Sequence, residues 1–268
     1  MSAFKESIKS ILSLFSDDLA RKMFEERMAE EEISEADQKV ILWTTFYRRN
    51  PHIFVEHYLG LELYLFQKIM IFLMFKSNLV VLICARNISK TFTTAVFAVS
   101  YCILYPNSKV LIGSYTKGQA GLIVSEKIDK ELMSLCPILQ DEILKIVNDQ
   151  KSIGVRFHNG SNIFCTVVGE QARGYRSTCC VIDEYRLTDR EALSNLIIPT
   201  MMIRNVPYMK KEKYNAIKEL QEQPREVYLT SAYYKSNWYF KHSIDALKDM
   251  YKGKGLLFST DYALCLKF

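Results

Sequence analysis

The sequence predicts an α/β fold: a mainly parallel central sheet flanked by helices, with a helical segment ahead of it. Three observations predict this. Short β-branched and aliphatic runs such as Leu79–Cys84 and Cys179–Ile182 read as strands buried on both faces. Segments with apolar residues at helical spacing lie between those runs. Strands that alternate with helices along a chain pair in parallel, because each crossover returns the chain to the same edge. The 268 residues, 49% hydrophobic and 24% charged, suffice for a large core and do not read as extended disorder. Ten Gly and six Pro exclude collagen-like or linker-rich architectures. No apolar run approaches the ~20 residues that span a bilayer. The longest runs, Ile69–Phe75 and Leu79–Ala85, are split by Lys76-Ser77-Asn78, and MSAFKESIKS has no apolar signal core. A soluble, intracellular protein is expected.

The elements follow in order. Phe4, Ile8, Ile11, Leu12, Phe15, Leu19 and Met23 have helical spacing and fit two short helices, with Ser16 or Asp17 as a cap between them. Residues 25–32 read as a solvated acidic face. Ser34 and Asp37 start a helix through Phe46, which ends before Asn50-Pro51 because proline disfavours helix in the residue before it. Leu59-Gly60-Leu61 is a break, and residues 64–76 are a buried helix. Then come strand Leu79–Cys84, helix Thr91–Leu104, strand Lys109–Gly113 and a helix Lys117–Leu135 closed by Pro137. Ser152–Phe157 and Asn162–Val168 alternate and are joined through Asn159-Gly160, a hairpin signal. Strand Cys179–Ile182, helix Asp189–Ile197 and strand Glu226–Leu229 complete the pattern, with residues 208–222 as a polar, Lys-rich excursion.

The net charge of +5 is unevenly spread. Residues 1–40 hold ten acids and six bases, or −4. The rest holds 29 bases and 20 acids, or +9, which suits a polyanionic partner. Cys84, Cys102, Cys136, Cys165, Cys179, Cys180 and Cys265 form no C-x-x-C and no zinc-like set, so buried reduced thiols are expected. His52, His57, His158 and His242 are scattered and receive no chemistry.

Two segments carry chemistry. Leu79 to Thr91 reads strand, short loop, helix, which is what a phosphate-binding loop needs: N–H groups at a helix N-terminus face the anion, and the helix dipole favours it. Lys90 would supply the cation for the β- and γ-phosphates, and Thr91 the hydroxyl that ligates Mg²⁺; a strand-to-helix turn with an incidental Lys-Thr is the alternative. Measured against G-x-x-x-x-G-K-[ST], Ala85 stands at the first glycine and Ser89 at the second, where glycine lets the backbone approach the phosphates. About ninety residues on, the apolar run Cys179–Ile182 ends in Asp183-Glu184. In a P-loop ATPase the first acid assists the metal and the second polarises the attacking water. A helix cap beyond a strand end is the alternative for that pair. Both segments lie at the C-terminal ends of predicted strands, the edge where open α/β sheets bind ligands.

In sequence order these residues resemble the ATPase domain of the large terminase subunit, the DNA-packaging motor of tailed phages. The resemblance spans about residues 50–240. Pro51-His-Ile-Phe54, Leu59-Gly60-Leu-Glu-Leu63 and Phe66-Gln67 resemble the family's lead-in, whose glutamine contacts adenine. Ala85-Arg86-Asn87-Ile88-Ser89-Lys90-Thr91 resembles the family's variant loop, which often opens with a small residue and arginine; Ser89 departs from it. Gln171-Ala-Arg173-Gly174-Tyr175-Arg176 and Thr230-Ser231-Ala232 are also similar, the latter to the motif coupling hydrolysis to movement.

The resemblance implies a P-loop NTPase of the ASCE type, with residues 1–58 as a helical segment or lid and 59–268 as the ATPase domain. It implies ATP and Mg²⁺ as ligands. Gln67 would read adenine, with Tyr64 or Phe66 nearby, and Ala85 to Thr91 would cradle the phosphates. Thr91 and Asp183 would hold the metal, Glu184 would act as general base, and Lys90 and Arg86 would neutralise charge in the transition state. Arg173 would be a sensor or a DNA or subunit contact, or else a simple salt bridge, and Thr230, Ser231 and Ala232 would couple hydrolysis to motion, or else mark a plain strand end. The implied partners are double-stranded DNA, gripped through its phosphates, a portal protein, a small terminase subunit, and copies of the chain in a ring, in the cytoplasm of a host cell and with no membrane. Lys210, Lys211, Lys213, Lys248, Lys252 and Lys254 are the candidate phosphate contacts or else solvated surface. Met201-Met202 and the aromatics Tyr233-Tyr234 and Trp238-Tyr239-Phe240 read as core or subunit packing. Large terminases normally continue into a nuclease domain; with no room for one here, the resemblance implies an ATPase half, cut short or separately encoded. Two other readings remain: a nucleotide- or DNA-binding protein with weak or no turnover because of Ser89, and a helicase-like ATPase, which would need a second lobe.

Overall fold

The computed structural model describes residues 35–149, 152–169, 174–204 and 222–261. The helices expected before residue 34, the excursion at 208–222 up to residue 221 with Lys210, Lys211 and Lys213, the stretch Gln171-Ala-Arg173, and Cys265 lie outside them.

The sheet has eight strands: β1 Leu79–Cys84, β2 Lys109–Ser114, β3 Ile143–Asn148, β4 Ile153–Phe157, β5 Asn162–Val167, β6 Cys179–Asp183, β7 Arg225–Thr230 and β8 Leu256–Thr260. They lie in the order β3-β4-β5-β2-β6-β7-β1-β8. From β8 to β5 every pair is parallel, and β5-β4-β3 continue as antiparallel hairpins. The predicted α/β fold with a mainly parallel sheet is the observed one.

Side chains alternate across a strand, and both faces are apolar. Val80, Leu82 and Cys84 enter one core with Met70, Met74, Val96 and Val99. Val81 enters the other with Leu111, Ile182, Tyr185 and Tyr228. Burial on both faces explains why these strands read as unbroken apolar runs. Each fully buried aliphatic side chain contributes about 1.5–3 kcal/mol.

Helices α1 Glu35–Arg49, α2 Pro51–His57 and α3 Leu65–Lys76 precede the sheet, and α4 Lys90–Leu104 follows β1. Proline at 51 ends α1 as expected, and it also starts α2, where its missing N–H is harmless. Phe54 and Val55 of α2 are fully buried in the first core. Helix α5 starts as Lys117–Leu122, widens into a π-helix over Ile123–Leu132 and closes at Met133–Leu135. A short α6, Leu139–Glu142, leads into β3. On the other face lie α7, Arg190–Ala192 extended by a π-turn over Leu193–Ile197, and α8, Trp238–Tyr251. Trp238, Tyr239 and Phe240 pack in or against the second core, whereas Tyr233 and Tyr234 are exposed.

Two polar anchors fix the helices that carry the site. At the β4–β5 turn, Asn159 Nδ2 donates to the Cys102 carbonyl at 2.8 Å and Ser161 Oγ to the same carbonyl at 2.9 Å, satisfying the C-terminal end of α4. Gly160 suits the turn because its φ of 82 is one that residues with a Cβ rarely adopt. At the end of α3, the buried Arg225 guanidinium donates to the Met74 carbonyl at 2.8 Å and also to that of Ser77. The six described cysteines, Cys84 to Cys180, are buried with no disulfide among them, and burial pushes Cys165 and Cys179 up to about 12. Among the described residues no helix is long and apolar enough to cross a membrane.

Candidate active site

Strand β1 delivers the chain to the C-terminal edge of the sheet, where residues 85–89 turn it into α4. Asn87 (φ 62) and Ser89 (φ 56) are both left-handed and bracket Ile88, which is 2% exposed and anchors the loop in the core. The Ser89 carbonyl opens α4 by accepting the Thr93 N–H at 2.9 Å and its hydroxyl at 3.0 Å. The N–H groups of the first turn of α4 have no partner within the helix and face outward with the positive end of its dipole. Lys90 is buried, and its Nζ donates to the Ala85 carbonyl at 2.8 Å, spanning the loop.

Strand β6 delivers Asp183 and Glu184 to the same edge. Asp183 is 8% exposed, and its Oδ1 accepts the Glu184 N–H at 3.0 Å. Burial, with the neighbouring Glu184 charge, pushes its carboxyl up to about 6, against the opposing pull of that hydrogen bond and Lys90. Glu184 is itself left-handed (φ 48). Its Oε1 accepts from Ser231 Oγ at 3.1 Å; its Oε2 accepts from Arg186 Nε at 2.9 Å and from Thr230 Oγ1 at 3.3 Å. Burial raises this carboxyl, but Arg186, Lys90 and Ser231 together outweigh burial and hold it below the usual carboxylate range.

A cavity of about 600 Å³ lies between the two segments. Gln67, Arg86, Asn87, Ser89, Lys90, Thr91, Glu184 and Ser231, all named from the sequence, line it. Asp183 lies beside Lys90 and Glu184, Ala85 behind Lys90, and Ile88 beneath the loop. Thr230 reaches Glu184, whereas Ala232 is exposed and lies off the cavity. Gln67 is held by its Oε1, which accepts the Tyr64 N–H at 3.0 Å; Tyr64 stacks on Phe66 at 5.9 Å, and its exposed ring lies at the cavity mouth.

Sequence reasoning missed Arg186, although it stands two residues after Glu184. It also missed Lys127 and Glu131, an ion pair at 2.6 Å on the widened part of α5 that lines the cavity. Nothing in their own sequence marks that pair as different from a solvated i, i+4 pair. Lys248, Lys252 and Lys254 are exposed at the end of α8 and just beyond it, on the opposite edge of the sheet from the phosphate loop, and Lys248 contacts Asp245 at 3.3 Å.

Strand β7 lies between β1, which leads to the loop, and β6, which ends in the acids. That order brings the loop after β1 and the acids after β6 to one edge of the sheet, on either side of β7. No protein-family model and no curated protein matches the chain. Among solved structures, the ATPase domain of the Thermus phage P74-26 large terminase is 15% identical, with 76% of this chain and 93% of that one covered and a TM-score of 0.46. The large terminase of another thermophilic bacteriophage, solved with ADP, is 12% identical over 70% of this chain and 41% of that one, with a TM-score of 0.43. The bacteriophage phi29 viral genome packaging motor assembly is 19% identical over 63% of this chain and 48% of that one, with a TM-score of 0.41. The chain is thus similar to ATPase domains of phage large terminases and to a phage packaging motor.

Proposed function

We propose that this chain is the ATPase motor of a viral DNA-packaging terminase, coupling hydrolysis of Mg-ATP to movement of double-stranded DNA into a procapsid. One observation carries the ATPase part: a single cavity brings the Lys90-Thr91 helix start against the Glu184 carboxylate, and Thr230 at the end of the intervening strand and Ser231 just beyond it hydrogen-bond that carboxylate. The terminase part rests on the ordered motif set from Phe66-Gln67 to Thr230-Ser231.

In this reading the loop N–H groups and Lys90 bind the phosphates, and Arg86, exposed at the cavity wall, neutralises charge that develops on the transferred group. Gln67, its Oε1 taken by Tyr64, offers its Nε2 donors to adenine. Glu184 takes the proton of the attacking water. The Thr91 hydroxyl and the Asp183 carboxylate form a hard-oxygen donor set that fits Mg²⁺, and a buried acid pushed up to about 6 is one that a divalent cation would stabilise in its ionised form. When bound, Mg²⁺ supplies neutralisation of the β- and γ-phosphate oxygens. Residues 59–268 are the ATPase unit and 1–58 the helical lead-in. The DNA would be held through its phosphates by surface lysines, with Lys248, Lys252 and Lys254 the described candidates. A ring of copies on a portal, a small terminase subunit, and action in the host cytoplasm belong to the same reading. A nucleotide-binding protein of low turnover is the second reading, favoured by the left-handed Ser89.

The test is Mg²⁺-dependent ATP hydrolysis by the whole chain beside Lys90→Ala and Glu184→Gln, with and without linear double-stranded DNA. Hydrolysis in the parent, abolished in both variants and stimulated by DNA, is expected. Hydrolysis unaffected by Glu184→Gln would refute the site assignment, and indifference to DNA would remove the motor reading.

A further inference from the structure

Helix α4 lies between α3 and α5 on one face of the sheet. It packs on both, while α3 packs on β1 and α5 on β3, β4 and β5, at opposite sides of the strand order. The nucleotide cavity follows that arrangement. Its walls run from Tyr64 and Gln67 at the start of α3, over Thr91 and Phe92 in the first turn of α4, to Lys127 and Glu131 on α5. Along the π-helical part of α5, residues spaced by four share a surface. Val124, Ile128 and Leu132 are fully buried in the first core, and Lys127 and Glu131 are half-exposed on the cavity. Lys127 Nζ donates to Glu131 Oε2 at 2.6 Å. This pair adds little to the fold, because partly exposed pairs contribute little and Lys before Glu is the weaker order in a helix. The Glu126–Lys130 pair one position earlier has the better order, is more exposed and does not line the cavity. π-helical turns are rare and occur mostly at functional sites.

We propose that Glu131 reads the sugar of the bound nucleotide: its Oε1 accepts the ribose 2′-hydroxyl, while Lys127 on Oε2 balances its charge against the phosphates. The substrate class is then ribonucleoside triphosphates, discriminated from their 2′-deoxy counterparts. This rests on the ATPase reading above and deepens it. The sugar links a base at Gln67 to phosphates at the loop, so it lies over the first turn of α4, and the polar wall beyond that turn is α5. Among the described residues, the other carboxylates lining the cavity are Glu184 and Glu62. Glu184 already accepts from Ser231, Arg186 and Thr230, and Glu62 is an exposed side chain ahead of Tyr64. A bare carboxylate would repel the phosphates, and Lys127 removes that objection for Glu131 alone. A site that hydrogen-bonds a substrate hydroxyl rejects the analogue lacking it, because the acceptor is left unpaired.

The experiment is calorimetric titration of Mg-ATP and Mg-dATP into the whole chain, with parent, Glu131→Ala, Glu62→Ala and Glu126→Ala. Alanine is the best helix former and Glu131 is half-exposed, so the variant keeps the fold. The parent should bind ATP about tenfold more tightly than dATP, the value of one hydrogen bond to a charged acceptor. Glu131→Ala should bring ATP down to the dATP level and abolish the preference. Glu62→Ala, which removes the competing carboxylate, and Glu126→Ala, which removes the neighbouring ion pair of α5, should both retain it. A merely structural role for Glu131 would weaken both nucleotides alike, and an unchanged ATP-to-dATP ratio in Glu131→Ala overturns the proposal. Equal affinities for the two nucleotides in the parent overturn it as well, as does a preference lost in Glu62→Ala. In each of these cases ATP still binds and the ATPase reading stands. No binding of either nucleotide by the parent overturns both.

Discussion

Replacing Ser89 by glycine is the most direct probe of the phosphate loop. Ser89 sits at φ 56, ψ 30, and its side chain makes no capping hydrogen bond. For an L residue this conformation presses Cβ toward the following carbonyl and costs about 1–2 kcal/mol. The side chain is exposed, so removing it sacrifices no core packing. Glycine relieves the contact but gives the unfolded chain ~0.4–1 kcal/mol of extra freedom. The balance is a gain of about 0.5–1 kcal/mol, or about 1–4 °C in Tm for a domain of this size. A second effect adds to it, because Ser89 lines the cavity and a bare backbone there admits the phosphates more closely. The assay is urea unfolding with thermal melts, together with calorimetric titration of Mg-ATP, on Ser89→Gly and Ser89→Ala. Alanine keeps Cβ and the strain, so it should stay within about 0.5 kcal/mol of the parent. A glycine variant less stable than the parent, or an alanine variant equally stabilised, would refute the strain argument. Weaker ATP binding in the glycine variant would show that the Ser89 hydroxyl is itself a ligand.

Two further outcomes are expected. Gln67→Glu keeps an acceptor for the Tyr64 N–H and removes the amide donors, so preference for ATP over GTP should drop by about tenfold while the helix stays capped; competition binding with both nucleotides checks it, and an unchanged preference would take adenine reading away from Gln67. His242 is enclosed by the rings of Tyr228, Tyr185 and Trp238, its Nδ1 is buried without a partner, and burial together with the Arg190 charge lowers its pKa against the pull of Asp245. A depressed pKa means that the unfolded chain binds the proton more readily, so this contribution is present above the ordinary histidine range and lost as pH falls through it. The His242 contribution should therefore decline from about pH 7.5 to about pH 5.5, against the opposite trend from the raised Asp183 carboxyl, so His242→Leu should lose less unfolding free energy over that window than the parent; equal slopes in parent and variant would count against it.

The central strands β1, β2, β6 and β7 and the helices α3 and α4 were legible because two-sided burial and helical spacing leave strong apolar signals. The β4–β5 hairpin was legible through Asn159-Gly160, whose turn demands a positive φ. Strands β3 and β8 were not, because each stands at an edge and is largely half-exposed or exposed, and their apolar runs, Leu256-Leu257-Phe258 and the Lys145-interrupted Ile143–Val147, are short or broken. Helix α8 escaped because only Tyr239, Ser243 and Ala246 of its fourteen residues are buried. Its amphipathic face has meaning only against β1 and β8.

At the site, the sequence alone determined the loop and the acidic pair, since each is a run of neighbours whose chemistry is set by spacing along one strand end. It also carried Thr230 and Ser231 as candidates, but not what they touch. Only the tertiary structure decided that. The parallel register of β6 and β7 sets Asp183 beside Leu229, and the next residues along each strand, Glu184 and Thr230, therefore meet at the sheet edge although 46 positions separate them. Arg186 likewise meets the Glu184 carboxylate through a left-handed turn at Glu184 that folds it back, a contact that no local pattern encodes.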